Sequence, residues 1–232
     1  VHEKVDNSSS SIATASREDF DWEKIFKGAK WFHFTGITPA LSDQVAEICL
    51  EACEAAKKAG VTISCDLNYR KKLWSKEKAG VVMGKLCKYV DVCVANEEDA
   101  ADVFGICAEN TNVTAGEVNR NGYKDVARQL AERFGFAKVA ITLRESISAN
   151  DNIWSAMLYD GENYCFSKKY KVHIVDRVGG GDSFCGGLIA SCLNGYDSQM
   201  TVEFAAAASC LKHSIEGDMN LVTVDEVLKL AG

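Results

Sequence analysis

The sequence predicts an α/β fold, a mostly parallel sheet with helices on both faces in a three-layer sandwich, and three observations carry that expectation. Short apolar runs alternate with longer amphipathic ones along most of the 232 residues, and such βα alternation makes parallel sheets. Helix-length patterns end on glycine and hand over directly to strand-like runs, as Gly60 does before Val61. A composition that is 47% hydrophobic suffices for a substantial core in one large domain.

Element by element, Val1 to Ser16 is polar and serine-rich and reads as a linker, leaving 17–232 as the α/β domain. Ser16 with Asp19 three residues on predicts a capping box opening a helix through Phe26. A strand over Lys30 to Thr35, an amphipathic helix over Ser42 to Ala59 and a strand over Val61 to Leu67 follow. Next come a helix over Lys76 to Cys87, a strand over Asp91 to Ala95 and a short helix from Asn96 to Phe104. After a Gly/Asn/Thr loop, Cys107 to Gly122, the pattern gives a helix over Tyr123 to Phe134 and a strand over Lys138 to Leu143. A hairpin-like pair, Trp154 to Tyr159 and Asn163 to Lys168, precedes helices near 182–194, 199–214 and 223–230.

The net charge of −7 argues against a general nucleic-acid or anionic-membrane binder, since those surfaces demand a basic stripe. Ten cysteines without a CxxC pair, mostly at apolar positions, read as small buried hydrophobes of a reducing compartment. Neither a signal-peptide pattern nor an apolar run of bilayer length occurs in the sequence, so the expectation is a cytoplasmic protein.

Chemistry concentrates in DRVGGGDSFCGG, Asp176 to Gly187. Gly179, Gly180 and Gly181 allow a tight turn and close approach to a ligand. A helix opening behind them offers unpaired N–H groups and a positive dipole end, an anion site. Asp182 would repel a phosphate there, which suits a base that deprotonates a hydroxyl as the hydroxyl attacks phosphorus. GGGD is also a common turn with an N-cap. The apolar, small-residue run Phe184 to Ala190 favours the working site, because a buried helix points its dipole into a cleft.

Three further segments fall on the strand C-terminal edge, where such sheets bind ligands. In CDLNYRKKLW, Cys65 to Trp74, Asp66, Asn68 and Arg70 alternate in an extended segment, and Arg70 suits a bidentate clamp on phosphate or carboxylate. A structural ion pair of Asp66 with Arg70 fits equally well. NEED, Asn96 to Asp99, supplies carboxylates that either cap a helix or hold the waters of a Mg²⁺ bridging ATP phosphates. In AAAASCLKHSIEGD, Ala205 to Asp218, the alanines suit packing against another helix or a flat adenine, and Lys212 and His213 read as solvent-facing or helix C-terminal charges. His33 and His173 lie in no motif and are expected to be structural, as are Trp22, Trp31 and Trp74.

The glycine segment resembles the C-terminal signature of the ribokinase-like (PfkB) carbohydrate kinases, DxxGAGDxFxxG, with Gly180 in place of the alanine. DxNyRxxLW and the EGD ending at Asp218 are similar to those of the 2-keto-3-deoxygluconate kinases, and NEED is similar to the family's NxxE with Asp99 for the Glu. The resemblance implies a ribokinase-like, Rossmann-like sandwich and ATP-dependent phosphorylation of a sugar acid. It implies Asp182 as catalytic base, Gly179, Gly180 and Gly181 as anion hole, and Arg70 and Asp218, with Asp182, as substrate contacts. It further implies a nucleotide site of Asn68, Tyr69, Arg70, Asn96, Thr142, Arg144, Gly179 and Gly181, and Mg²⁺ held through water by Asn96, Glu98 or Asp99. A K⁺ site beside Asp176 and Val178 is a further implication. The glycine usual after the family's strand-ending Thr is missing from TLRESISAND, Thr142 to Asp151, where Thr142, Arg144 and Ser146 stand in.

Family members carry an additional N-terminal segment of about a third of the protein, with the first strands and a small lid that forms a dimer contact. Nothing before Lys4 to Ala13 matches it, so those residues resemble the return from the lid and the chain resembles a truncated form, a homo-oligomer when the lid is present. A fructokinase or ribokinase of the same fold, and a non-catalytic nucleotide-binding fragment, are the rival readings. A dinucleotide site is disfavoured, because GxGxxG spacing is absent.

Overall fold

The structure is a computed structural model that describes residues 10–96, 98–108 and 118–232. Most of the expected linker, the Glu97 position and most of the loop Cys107 to Gly122 lie outside the described residues.

One seven-stranded sheet organises the described residues. Strands β1 (Trp31–Thr35), β2 (Thr62–Asp66), β3 (Val92–Asn96) and β4 (Lys138–Ser146) run parallel and in order. β5 (Asp151–Tyr159) returns antiparallel to β4, and both β6 (Tyr164–Phe166) and β7 (Tyr170–His173) pair antiparallel with β5. The sheet is therefore mixed, parallel where helices make the crossovers and antiparallel where short turns suffice.

Alternation along each strand divides the core in two. Ile63, Cys65, Cys93, Val139, Ile141 and Met157 face one layer, packed by α2 (Asp43–Lys58), α3 (Lys76–Leu86), α4 (Asp99–Phe104) and α5 (Val118–Phe134). Val92, Val94, Ala140, Ala156 and Leu158 face the other, packed by α6 (Gly180–Leu193), α7 (Ser198–Lys212) and α8 (Val224–Ala231). The alanines of α7 serve helix packing: the Cβ position of Gly187 on α6 is 3.0 Å from the Cα of Ala205. Seven of the ten cysteines are buried, and burial pushes their thiols up, so they pack as hydrophobes.

Several boundaries differ from expectation for local reasons. The helix expected to Phe26 divides into a 3-10 turn, Arg17–Asp19, and α1 (Trp22–Phe26), because Phe20 is extended and Asp21 caps the second piece by accepting from Lys24 N. α4 begins at Asp99 rather than Asn96, since the Asn96 side chain accepts from the N–H groups of Glu98 and Asp99. α5 starts at Val118, before the expected Tyr123. β4 and β5 extend to a tight turn in which Ser148 and Asp151 bond each other, and β7 is an additional strand. Lys212 and His213 are buried, not solvent-facing, because α7 ends beneath the turn that opens α6.

Candidate active site

On the α6-facing side of the sheet, strand alternation turns polar towards the C-terminal ends. Asp66 lies beside Thr35 of β1 and Val94 of β3, Asn96 beside Thr142, and Arg144 beside Trp154. The N-terminus of α6 opens over these positions, leaving a cavity of about 530 Å³ between helix and sheet edge, a size typical of small-molecule sites.

The three glycines have three different reasons to be glycine. Gly179 has φ +79°, and a Cβ there would lie 2.1 Å from the carbonyl oxygen of Asp218. A Cβ on Gly180 would strike the His213 imidazole, whereas Gly181 faces open space within the cavity wall. Gly179 and Gly181 line the cavity and Gly180 does not; Gly179 and Gly180 are both buried, and Gly181 is exposed. Asp182, in the first turn of α6, lines the same cavity; its charge reaches Asp66 and His33.

Opposite α6, the chain leaving β2 is not extended as expected. Asn68 is in the left-handed region, φ +38°, its side chain donates to Thr35 Oγ1 at 3.0 Å, and the turn brings both Asn68 and Arg70 to the cavity. The crossing is tight, because a Cβ on Gly36 would lie 2.1 Å from the Leu67 carbonyl oxygen. Tyr69 instead turns its hydroxyl away to donate to Trp74 O, so its side chain braces the segment. Asp66 is pushed up to about 7 by burial, then by the Asp99 and Asp182 charges, with Arg70 opposing.

Asp99 is buried, and its two carboxylate oxygens accept from Tyr69 N at 3.1 Å and Asn96 N at 3.2 Å. It clips the β2 and β3 loops together, and burial raises its pKa despite those bonds. Glu98 also lines the cavity, and among the described residues its carboxylate has no hydrogen bond or ion pair. Thr142 and Arg144 complete the far wall beside Arg177, whose guanidinium donates to Ala149 O. Asp176 does not line the cavity: it accepts from Val178 N and Gly217 N, which hold its pKa low. Asp218 is exposed outside the lining and meets the site only through its carbonyl beneath Gly179.

The model of the pfkB family of carbohydrate kinases matches residues 3–223. The chain belongs to this family. A 2-dehydro-3-deoxygluconokinase from Thermotoga maritima is 52% identical in sequence with a TM-score of 0.88, over 94% of this chain and 64% of that one. A PfkB family carbohydrate kinase from Listeria grayi is 32% identical, with a TM-score of 0.83, over 94% of this chain and 65% of that one. A 2-dehydro-3-deoxygalactonokinase of Haloferax volcanii is 30% identical over 96% of this chain and 63% of its own length. The chain thus spans less than two thirds of the relatives it matches.

Within this pfkB kinase fold, one cavity gathers Asn68, Arg70, Asn96, Glu98, Asp99, Thr142, Arg144, Gly179, Gly181 and Asp182. Tyr69, Gly180, Asp176 and Asp218 stand behind or beside it. Arg177 was not singled out by any sequence pattern, and neither was Gly36; the only signal for Arg177 is its place directly before the glycine turn. His33 accepts or shares a hydrogen bond with Ser64 Oγ at 2.7 Å, in keeping with a structural part.

Proposed function

We propose that the protein is an ATP-dependent kinase of a 2-keto-3-deoxy sugar acid, 2-keto-3-deoxygluconate or its galacto epimer, with phosphate transferred to the terminal hydroxyl. The observation that carries this reading is the placement of Asp182 in the first turn of α6, in one cavity with Arg70, Arg144 and Arg177. The Thermotoga maritima and Haloferax volcanii relatives, described as acting on the two epimers, support the substrate class.

Asp182 takes the proton of the attacking hydroxyl, while the N–H groups at the α6 N-terminus receive the charge building on the transferred phosphoryl. Gly181, with no atom above its Cβ position, leaves the phosphoryl room to approach. Arg70 orients the acid, and Arg144 and Arg177 face the nucleotide phosphates.

Mg²⁺ fits the residues present in one way. Glu98 offers a free oxygen donor at the cavity, whereas the Asp99 oxygens are spent on backbone N–H groups. Among the described residues no group of three or more His, Cys, Asp or Glu side chains is disposed to hold an ion alone. The Asn96 side-chain oxygen is likewise spent on the N–H groups of Glu98 and Asp99, so Glu98 would hold the metal through water together with the phosphates, and the metal would neutralise β and γ oxygens. Among the described residues no helix is long and apolar enough to cross a membrane.

The test is turnover of ATP by the purified protein with 2-keto-3-deoxygluconate, 2-keto-3-deoxygalactonate, fructose and ribose in parallel. Selective turnover with either sugar acid is the expected result. Preference for a neutral sugar, or Mg·ATP binding without transfer to any of the four, would reject it.

A further inference from the structure

Lys212 carries a buried charge that the proposed reaction does not use. Its side chain is 0% exposed, and an ammonium taken from water persists in an interior only where oxygen ligands and opposite charge replace its hydration. One such oxygen comes from the loop after α7, and the stem of the side chain reaches the glycine turn. Nζ donates to the Ile215 carbonyl at 3.0 Å, and Cε lies 3.2 Å from the Cβ position of Gly179, directly behind the phosphate-binding turn. The Lys212 charge also helps hold Asp176 low.

The two loops are also joined to each other directly. The His213 carbonyl accepts from Val175 N at 2.8 Å, Asp176 Oδ2 accepts from Gly217 N at 3.0 Å, and the Asp218 carbonyl lies under Gly179. An added monovalent cation would require several free carbonyl or carboxylate oxygens about one point. The residues do not fit an added one, because the ammonium already supplies the charge and both Asp176 oxygens accept backbone N–H groups.

We propose that Lys212 is a resident cation, a positioning residue whose buried side chain ties the loop after α7 to the glycine turn of α6, so that this turn is set without added potassium. The activity arm of the test rests on the kinase reading above; the binding arm does not.

The experiment measures binding of the Mg²⁺ complex of the non-hydrolysable ATP analogue AMP-PNP, and ATP turnover, in the intact protein. Tetramethylammonium is exchanged for potassium or ammonium at constant ionic strength. Wild type is expected to change by less than about twofold, whereas Lys212→Met weakens AMP-PNP binding at least about tenfold, in part restored by potassium or ammonium. A wild-type protein that needs potassium to bind AMP-PNP, a folded Lys212→Met protein that binds like wild type, or a loss no cation restores would each overturn the proposal. Should Lys212→Met not fold, Lys212→Arg, which keeps the charge, and the wild-type cation series decide it. Cation-independent binding without sugar-acid turnover would count against the kinase reading and leave Lys212 its role.

Discussion

A Cβ on Gly180 would stand 2.7 Å from Cε1 and 2.8 Å from Nε2 of His213, so an alanine at 180 requires the imidazole to move. The imidazole is fixed from two sides, Nδ1 donating to Ser209 O at 2.7 Å and the ring packing on Trp154, and burial lowers its pKa. The departure from the GAGD pattern and the buried histidine are two halves of one packing solution.

It follows that Gly180→Ala should destabilise the protein by roughly 1–3 kcal/mol through overpacking. His213→Ala should make the alanine tolerable. Thermal denaturation of the two single variants and the double variant measures the coupling, and additive losses would mean that the two residues do not meet in solution.

Much of the fold could be read from residue order because strand alternation is a local property. Val92 to Ala95 is apolar on both faces, and the two halves of that run pack in separate layers, as a central parallel strand must. β7 escaped, since Tyr170–His173 presents two exposed residues, Lys171 and His173, in a four-residue strand. The placement of Gly179, Gly181 and Asp182 at one cavity was legible because a glycine turn opening a helix is a local pattern. The division of labour between Glu98 and Asp99 was not, because it depends on Tyr69 N, thirty residues earlier in the chain. Nor was the burial of Lys212, which depends on a loop folding back over a helix C-terminus that would otherwise be solvated.

That division of labour is testable. Asp99→Ala leaves the N–H groups of Tyr69 and Asn96 without their acceptor and should cost about 1–3 kcal/mol for each that stays buried. Glu98→Gln should leave the melting temperature nearly unchanged and raise the Mg²⁺ concentration needed for half-maximal turnover. The reverse pattern would make Asp99 the metal-facing carboxylate.

Arg70 is exposed at the cavity and, among the described residues, donates only to the carbonyl of its neighbour Tyr69, so its guanidinium is available to an acid. Arg70→Ala should raise the KM for the sugar acid roughly tenfold or more, and that for ATP less. Asp218→Ala should act more weakly on both, since its side chain lies outside the lining. Steady-state kinetics with each substrate varied in turn would decide, and equal effects of Arg70→Ala on the two KM values would assign the arginine to the nucleotide.

Asp66 sets a pH dependence whose sign is fixed by the direction of its shift. Its carboxyl rises from an ordinary 3.8 to about 7 on folding, through burial first and the Asp99 and Asp182 charges second. The folded state therefore binds a proton more tightly than the unfolded chain. The resulting stabilisation is fully present below the unfolded value, declines as pH rises between the two values, and is gone above about 7. Asp66→Asn should flatten this part of the stability profile and raise the melting temperature above pH 7 relative to wild type. Denaturation series at pH 5 and pH 8 would show it, and identical slopes for the two proteins would mean that Asp66 titrates normally.

Asp182→Asn keeps the shape of the first turn of α6 and removes the base. Among the described residues the carboxylate makes no hydrogen bond or ion pair, so a purely structural part would be limited to its favourable interaction with the helix dipole, about 0.3–1 kcal/mol. Loss of a general base instead lowers kcat by roughly 10²-fold or more while leaving nucleotide binding little changed. Initial rates and AMP-PNP binding on the same preparation separate the two. Full turnover in a folded Asp182→Asn protein would remove this residue from the chemistry. A loss of stability with kcat intact would make Asp182 a helix-terminal acid and leave the attacking hydroxyl in need of another base among the cavity residues, Asp66 being the carboxylate whose raised pKa suits the task near neutral pH.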